Sequence, residues 1–194
     1  PEPPPNTLPL PALAWVDVRG ATEKDVTGSS FNVAEIEAIG RWLLESATWL
    51  KARYRKPLDE IVAVLAPLRA QRDLLKERIS TMLLQAPGVT KEEVDRMVIG
   101  TVHQLQGAER PIVCFSTVQH LRDGRLFAQR DNEANQLNVA VSRAQDSFIL
   151  VGDKSNWDNT IRQPSNAPMR ILGDALKRDG QRLFPRTLVV IEAP

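Results

Sequence analysis

Two segments of this 194-residue chain carry side chains that could handle phosphate groups. The segment IGTVHQLQGAE spans residues 99–109, and LNVAVSRA spans residues 137–144. In the second segment, Arg143 offers phosphate oxygens a permanent charge and a rigid fork of donors. In the first, Thr101 and His103 are neutral donors of the kind that contact nucleic-acid phosphates without reading sequence. These residue types indicate phosphate chemistry.

The phosphate loop of ATP-binding proteins is missing from the sequence. Such a loop reads G-x-x-x-x-G-K-S/T, and its backbone N–H groups cradle the phosphates of a nucleotide. No segment of the chain has this pattern. The chain alone therefore cannot cradle a triphosphate.

Composition is typical of a globular domain. Apolar residues make up 42% of the chain and charged residues 25%, and the length suits one domain with a sizeable core. Lys and Arg number 25 against 24 acidic residues, so nucleic-acid binding would need a local basic patch. Cys114 is the only cysteine, which excludes an intrachain disulfide and predicts an intracellular, cytoplasmic location. No apolar run approaches the roughly 18 residues that span a bilayer, so no membrane partner is expected.

The chain divides into a short arm and one domain. Six of the first eleven residues are proline, which predicts an extended arm over residues 1–11 and a single domain over residues 12–194. Asn32 is placed to cap a long helix, with Glu35 as its capping-box partner. Hydrophobic spacing predicts helices over residues 33–54, 67–86, 135–144 and 171–176, and strands over residues 13–18, 61–65, 98–102, 112–117, 148–151 and 188–191.

The strands are continuously apolar and alternate with helices, which is typical of a parallel sheet covered on both faces. The predicted fold is therefore a three-layer α/β/α domain with a mostly parallel sheet. Ligands of such sheets bind beyond the carboxyl ends of the strands. Thr101 and residues 67–72 follow strands and are expected at that edge, whereas Arg143 ends the short helix before the next strand.

The two segments, in this order, resemble motifs V and VI of superfamily 1 helicases, and the 5′-to-3′ branch with its RNA-surveillance and DNA-replication members is the best match. The segment APLRAQR (residues 66–72) is similar to motif IV, although Ala66 and Leu68 replace a hydroxyl and an aromatic residue. The resemblance implies the second RecA-like domain of an ATP-dependent motor. ATP and Mg²⁺ would be held mainly by a first RecA-like domain of the same polypeptide, and single-stranded DNA or RNA would be the track.

The resemblance also implies individual roles. Two arginines would reach the triphosphate in one shared cleft, and the residues around Gly107 would contact the nucleotide and the first domain. Thr101 and His103 would contact the nucleic-acid backbone. The implied catalytic residues are Arg143 and Arg72, and the implied nucleotide-binding residues are Glu109, Gly107, Gln106 and Gln71.

Plainer interpretations remain open for these residues. Arg143 could simply complement the dipole at a helix end, Arg72 could lie on a solvated helix face, and His103 could be structural. No spacing of Cys and His predicts a metal site. For the domain as a whole, the alternative is a non-catalytic nucleic-acid or protein-binding module derived from a helicase. A generic α/β scaffold is a third and weaker reading.

Overall fold

The computed structural model describes residues 10–105, 108–118, 134–158 and 168–182. The strands are β1 (Leu13–Asp17), β2 (Glu23–Lys24), β3 (Ser30–Phe31), β4 (Val62–Leu65), β5 (Val98–Gly100), β6 (Arg110–Ser116), β7 (Ala144–Gly152) and β8 (Gln181–Arg182). The helices are α1 (Val33–Tyr54), α2 (Leu58–Ile61), α3 (Arg69–Leu83), α4 (Lys91–Arg96), α5 (Ala134–Ser142), α6 (Ser155–Asp158) and α7 (Pro168–Asp179), with a 3₁₀ turn at Val102–Leu105.

Six of the described strands form one sheet in the order β5-β4-β6-β7-β1-β8, and every neighbouring pair in it is parallel. The two remaining short strands, β2 and β3, form an antiparallel hairpin. Because all six strands run the same way, their first residues lie at one edge of the sheet and their last residues at the other. We call these the amino edge and the carboxyl edge.

Helices cover both faces of the sheet. Successive strand residues point to opposite faces, so Val62 and Val64 of β4 pack with α1 and α3, whereas Ala63 and Leu65 pack with α5 and α7. Both clusters are almost free of solvent contact. The predicted three-layer α/β/α fold with a parallel sheet is confirmed.

The start of α1 differs in one detail from its prediction. Asn32 is the cap, and its side chain accepts a hydrogen bond from the Glu35 backbone N–H at 3.3 Å. The other half of the expected capping box is wrong, because the Asn32 backbone N–H donates to Gln71 Oε1 at 2.7 Å. The Glu35 carboxyl instead turns into the sheet, where it is fully buried.

The structure also shifts several boundaries. The strand predicted at residues 148–151 begins at Ala144, because Ala144 pairs with Arg110 at the start of β6. The helix before it therefore ends at Ser142. Pro111 has no N–H for the ladder, and the β6–β7 register shifts at that point. Sequence patterns missed the short elements α2, α4, α6, β8 and the β2–β3 hairpin. Residues 1–9 of the arm, the loop at residues 119–133 and the strand at residues 188–191 lie outside the described residues.

Gly152, at the end of β7, allows a close approach that no other residue type would permit. A Cβ atom there would overlap Thr117 Oγ1 and lie 3.2 Å from Glu35 Oε1, and its φ is 156°. Gly28, in the hairpin turn, has a φ of 83° but no atom within 4 Å of an added Cβ.

We therefore expect Gly152→Ala to destabilise the fold clearly more than Gly28→Ala. The hairpin substitution should cost about 1–2 kcal/mol from backbone strain alone, whereas the β7 substitution adds a steric overlap inside a buried polar cluster. Urea unfolding of the two variants measures the difference. Equal midpoints would contradict the close packing at Gly152.

Candidate functional site

The strand register divides the predicted site residues between the two edges of the sheet. Glu109 and Arg143 immediately precede β6 and β7, so they lie at the amino edge. Arg72 lies in the first turn of α3, after β4, and Thr101 directly follows β5, so both belong to the carboxyl edge. This separation bears on the expectation that Arg72 and Arg143 share one cleft.

The distance between the edges follows from the ladder. Arg110 pairs with Ala144, the residue after Arg143, and Phe115 pairs with Leu65 at the end of β4. The five residue steps from Arg110 to Phe115 correspond to about 17 Å at ~3.3 Å per residue. The structure therefore places Arg72 and Arg143 toward opposite edges of the sheet, and a cleft that both side chains reach stays a prediction.

The amino edge does bring Glu109 and Arg143 together. The backbone N–H of Arg110 donates to the carbonyl of Arg143 at 3.0 Å, which ties the starts of β6 and β7. Across the same pair of strands, Gln145 Nε2 donates to Glu109 Oε2 at 3.2 Å. An acidic and a basic candidate thus lie directly before two neighbouring strands.

Arg143 has an unfilled donor. Its residue is partly buried, and its Nε is buried without a hydrogen-bond partner among the described residues. A buried donor on a charged group that lacks an acceptor is costly, so native structures seldom leave one without a reason. The donor is available to an acceptor that the described residues do not supply.

The side chain of Arg110 ties the start of β6 to α2. Its Nε donates to the carbonyl of Asp59 at 2.8 Å, and one terminal nitrogen donates to the carbonyl of Glu109 at 2.9 Å. Asp59 in turn accepts from Arg96 Nε at 3.0 Å. Sequence reasoning missed Arg110 and Gln145. Their only signal was adjacency to Glu109 and Arg143, which does not reveal a cross-strand contact.

At the carboxyl edge, Gln71 is not available to a nucleotide. It is fully buried, its Nε2 donates to Asn32 O and to Ser116 Oγ, and its Oε1 accepts from Asn32 N–H. Every polar group of the amide is therefore occupied inside the protein. The assignment of Gln71 to the nucleotide is a correction, and its role is to fix α3 against α1 and β6.

Arg72 is partly exposed and pairs with the neighbouring Asp73. Its Nε lies 2.8 Å and a terminal nitrogen 2.7 Å from Asp73 Oδ1. Arg69, one turn earlier in sequence, is exposed at the same end of α3. These two cations face solvent at the carboxyl edge.

Thr101 lies at the carboxyl edge in a turn that Gln104 closes. The Thr101 N–H donates to Gln104 Oε1 at 2.9 Å, and the Gln104 N–H donates to Thr101 O at 2.9 Å. For His103 the structure gives only the backbone course, which is part of the 3₁₀ turn. Gln106 and Gly107 lie outside the described residues.

A buried polar cluster connects the elements of the carboxyl edge. We call it the Glu35 cluster. Its centre is the Glu35 carboxyl, which accepts from Ser116 Oγ, from Thr117 Oγ1 at 3.2 Å and from the Val118 N–H at 2.9 Å. Asn32 Nδ2 is a further donor at 3.4 Å, and Gln71 joins through Ser116. Burial raises the pKa of Glu35 to about 7, against the lowering effect of these hydrogen bonds.

The described residues contain neither a metal-binding cluster nor a membrane-spanning helix. Over the described ranges, no group of three or more His, Cys, Asp or Glu side chains is arranged to hold a metal ion. Within the same part of the chain, none of the helices has the length and apolar character that crossing a bilayer requires.

Sequence comparison relates this chain to proteins described as helicases. A family profile described as AAA domain matches residues 4–155. The chain is 27% identical over 143 residues to a Danio rerio protein described as a helicase, mov-10-B.1, with 70% of this chain and 14% of that protein covered. It is 27% identical over 136 residues to the Mus musculus DNA replication ATP-dependent helicase/nuclease DNA2, with 70% and 11% covered.

A solved structure is also similar. The C-terminal domain of a protein described as a possible DNA helicase from Lactobacillus plantarum aligns with a TM-score of 0.44 and 13% identity, covering 74% of each chain. The two sequence relatives are much longer than this chain, which spans 14% of one and 11% of the other.

The parallel α/β/α fold and the sequence relatives define the class of protein as a RecA-like helicase domain. The chain belongs to the AAA domain family, because the family profile covers most of its 194 residues.

The raised pKa of Glu35 makes stability depend on pH. The protonated form is favoured in the fold, so the contribution is fully present below the ordinary pKa of 4.5 and is lost as pH rises through about 7. The loss should be on the order of 3 kcal/mol for the wild type. Urea unfolding between pH 4.5 and 8 measures this change.

The matched control is Glu35→Gln, which has no proton to lose at this position. The wild type should lose more unfolding free energy than Glu35→Gln over that pH range. Parallel pH profiles for the two proteins would contradict the assignment.

Proposed function

We propose that this chain is the second motor domain of an ATP-dependent helicase or translocase that acts on single-stranded DNA or RNA. A first RecA-like domain, which would lie elsewhere in the same polypeptide, would hold most of the ATP and its Mg²⁺. The proposal is supported chiefly by the Nε of Arg143 beside Glu109 at the amino edge, which is buried and has no hydrogen-bond partner among the described residues. Helicase relatives add independent support.

In this proposal the amino edge faces the nucleotide. ATP hydrolysis spreads negative charge over the transferred phosphoryl group, and a guanidinium placed there stabilises that charge. Arg143 would supply it across the interface between the two domains. Glu109 carries two acceptor oxygens, one of which already accepts from Gln145, and would accept hydrogen bonds from the ribose hydroxyls. Gly107 and Gln106 keep the nucleotide and interdomain roles that the family resemblance implies.

The carboxyl edge would face the nucleic acid. Thr101 lies there with the 3₁₀ turn that contains His103, and Arg69 and Arg72 lie at the nearby start of α3. Guanidinium and hydroxyl groups contact phosphates without sequence preference, which suits a translocating motor. We therefore propose that Arg72 contacts the nucleic-acid strand rather than the triphosphate. This separates hydrolysis and strand binding at opposite ends of one sheet.

One observation favours a second candidate, a non-catalytic binding module derived from a helicase. Ala66, where the related motif has a hydroxyl group, is fully buried and donates its N–H to Gly100 O at 2.9 Å. The side chain at this position therefore cannot contact a nucleic-acid strand. An intact phosphate loop in the preceding domain would favour the motor, and its loss would favour the binding module.

Arg143→Ala should abolish most hydrolysis in a protein that contains both domains. We expect the rate of ATP hydrolysis to fall by roughly 10³ or more while ATP binding survives, because the charge matters mainly in the transition state. Steady-state hydrolysis and equilibrium binding of a fluorescent ATP analogue measure the two effects.

The matched control is Arg178→Ala, which removes an exposed guanidinium from α7 that pairs with its neighbour Asp179. Its hydrolysis rate should stay at the wild-type level. An undiminished rate in Arg143→Ala would remove Arg143 from the proposed role.

The 194-residue chain should bind single-stranded oligonucleotides most tightly at low salt. Each phosphate contact contributes about 0.7 to the slope of log affinity against log salt concentration on single strands. Arg69→Ala and Arg72→Ala should therefore each flatten that slope by about 0.7. Fluorescence anisotropy over a salt series measures it.

Arg78→Ala is the control on the same helix, since Arg78 is held by Glu37 at 2.6 Å and lies two turns further along α3. Its slope should match the wild type. An unchanged slope in both Arg69→Ala and Arg72→Ala would mean that the oligonucleotide binds elsewhere.

A further inference from the structure

The chain leaves β6 in a strained conformation. Val118 has a φ of 64°, in the left-handed region that a β-branched residue rarely adopts. It is the last described residue before the segment 119–133, which leads to α5 and Arg143. Such a conformation persists only where the surroundings over-determine it.

Three hydrogen bonds hold the Val118 backbone. Its N–H donates to Glu35 Oε2 at 2.9 Å, and its carbonyl accepts from Thr22 Oγ1 at 3.2 Å and from Asn32 Nδ2 at 3.5 Å. The Val118 side chain is fully buried. The strain is therefore balanced by the Glu35 cluster rather than by solvent.

The same cluster holds the first turn of α3. Gln71 Nε2 donates to Ser116 Oγ at 2.9 Å, and Ser116 Oγ donates to the same Glu35 oxygen that accepts the Val118 N–H. Arg72 is the next residue after Gln71. A continuous path of buried hydrogen bonds thus runs from the end of β6 to the residue before Arg72.

We infer that Glu35 is a positioning residue that couples the Val118 backbone, through Ser116 and Gln71, to the first turn of α3 and so to Arg72. Displacement of α3 weakens the hold on Val118, and release of Val118 loosens α3, because such coupling acts equally in both directions. The coupling itself stands on the contacts alone. Its consequence for strand binding rests on the proposed function, in which Arg72 faces the nucleic acid.

Reciprocity gives the test. Gln71→Met keeps a long side chain but removes the amide, and it deletes no hydrogen bond made by Val118. Hydrogen exchange of the 194-residue chain, followed amide by amide by NMR, should nevertheless show the Val118 N–H exchanging roughly tenfold faster than in the wild type. Ser116→Ala, which cuts the path at its middle, should give the same result and serves if Gln71→Met does not fold.

The matched control is Ile79→Val, a mild change at a buried position of α3 outside the Glu35 cluster. With the Val113 amide of β6 as the internal reference for global stability, Val118 exchange should not change in this variant. A Val118 rate that stays at the wild-type value in both Gln71→Met and Ser116→Ala overturns the coupling.

An oligonucleotide titration separates this inference from the proposed function. Gln71→Met should lower the affinity of the chain for a single-stranded oligonucleotide several-fold at low salt, since Arg72 loses its fixed position. If the wild type does not bind at all, the proposed strand-binding role fails, and the exchange experiment still decides the coupling. Unchanged affinity together with faster Val118 exchange would overturn the consequence for Arg72.

Discussion

All six strands of the main sheet run in the same direction, and the placement of every candidate residue depends on that constraint. A side chain that follows a strand lies at one edge, and a side chain that precedes a strand lies at the other. Glu109 and Arg143 precede their strands, whereas Thr101 follows its strand and Arg72 lies at the start of the helix after β4. The parallel ladder thus turns positions in the sequence into two separate chemical surfaces. A domain that contacts a nucleotide and a polymer at the same time needs two such surfaces.

The surfaces differ in how they are held. At the amino edge, backbone pairing joins β6 to β7, and the guanidinium of Arg110 donates to the carbonyl oxygens of Asp59 in α2 and of Glu109. At the carboxyl edge, the buried carboxyl of Glu35 holds the elements together by accepting hydrogen bonds from four side-chain and backbone donors. Glu35 is costly to bury, and the cost is offset only while its donors stay in place. The carboxyl edge is therefore the more demanding of the two to assemble.

The sequence predicts the architecture well, because it depends on patterns that neighbours in the chain create. Apolar strands such as residues 61–65 and the long amphipathic α1 are visible without tertiary information. The polar contacts are different. Glu35 looked like a capping-box residue, and only the proximity of Ser116 and Val118, more than 80 residues away, redirects it. Gln71 likewise resembled a ligand-binding residue, but in the structure its side chain is hydrogen-bonded to the Asn32 backbone.

The distance between the edges that hold Arg72 and Arg143 was beyond the sequence. Motif resemblance placed both near a triphosphate, although one follows a strand and the other precedes one. The distance depends on the register of β4, β6 and β7, which only the folded sheet defines. That the Nε of Arg143 finds no partner in the described part of the chain is similarly a property of its surroundings rather than of its residue type.

The outer side of β1 has a consequence for how the domain behaves in isolation. Five residues of β1 pair with β7, but on its other side only Ala14 and Trp15 pair with the two-residue β8 within the described chain. An uncovered strand edge offers free N–H and C=O groups to any second strand of suitable length. Shortening the protein before Gln181 removes this cover and opens β1 to pairing between copies. Solubility of a trimmed domain thus depends on where its C-terminus is cut.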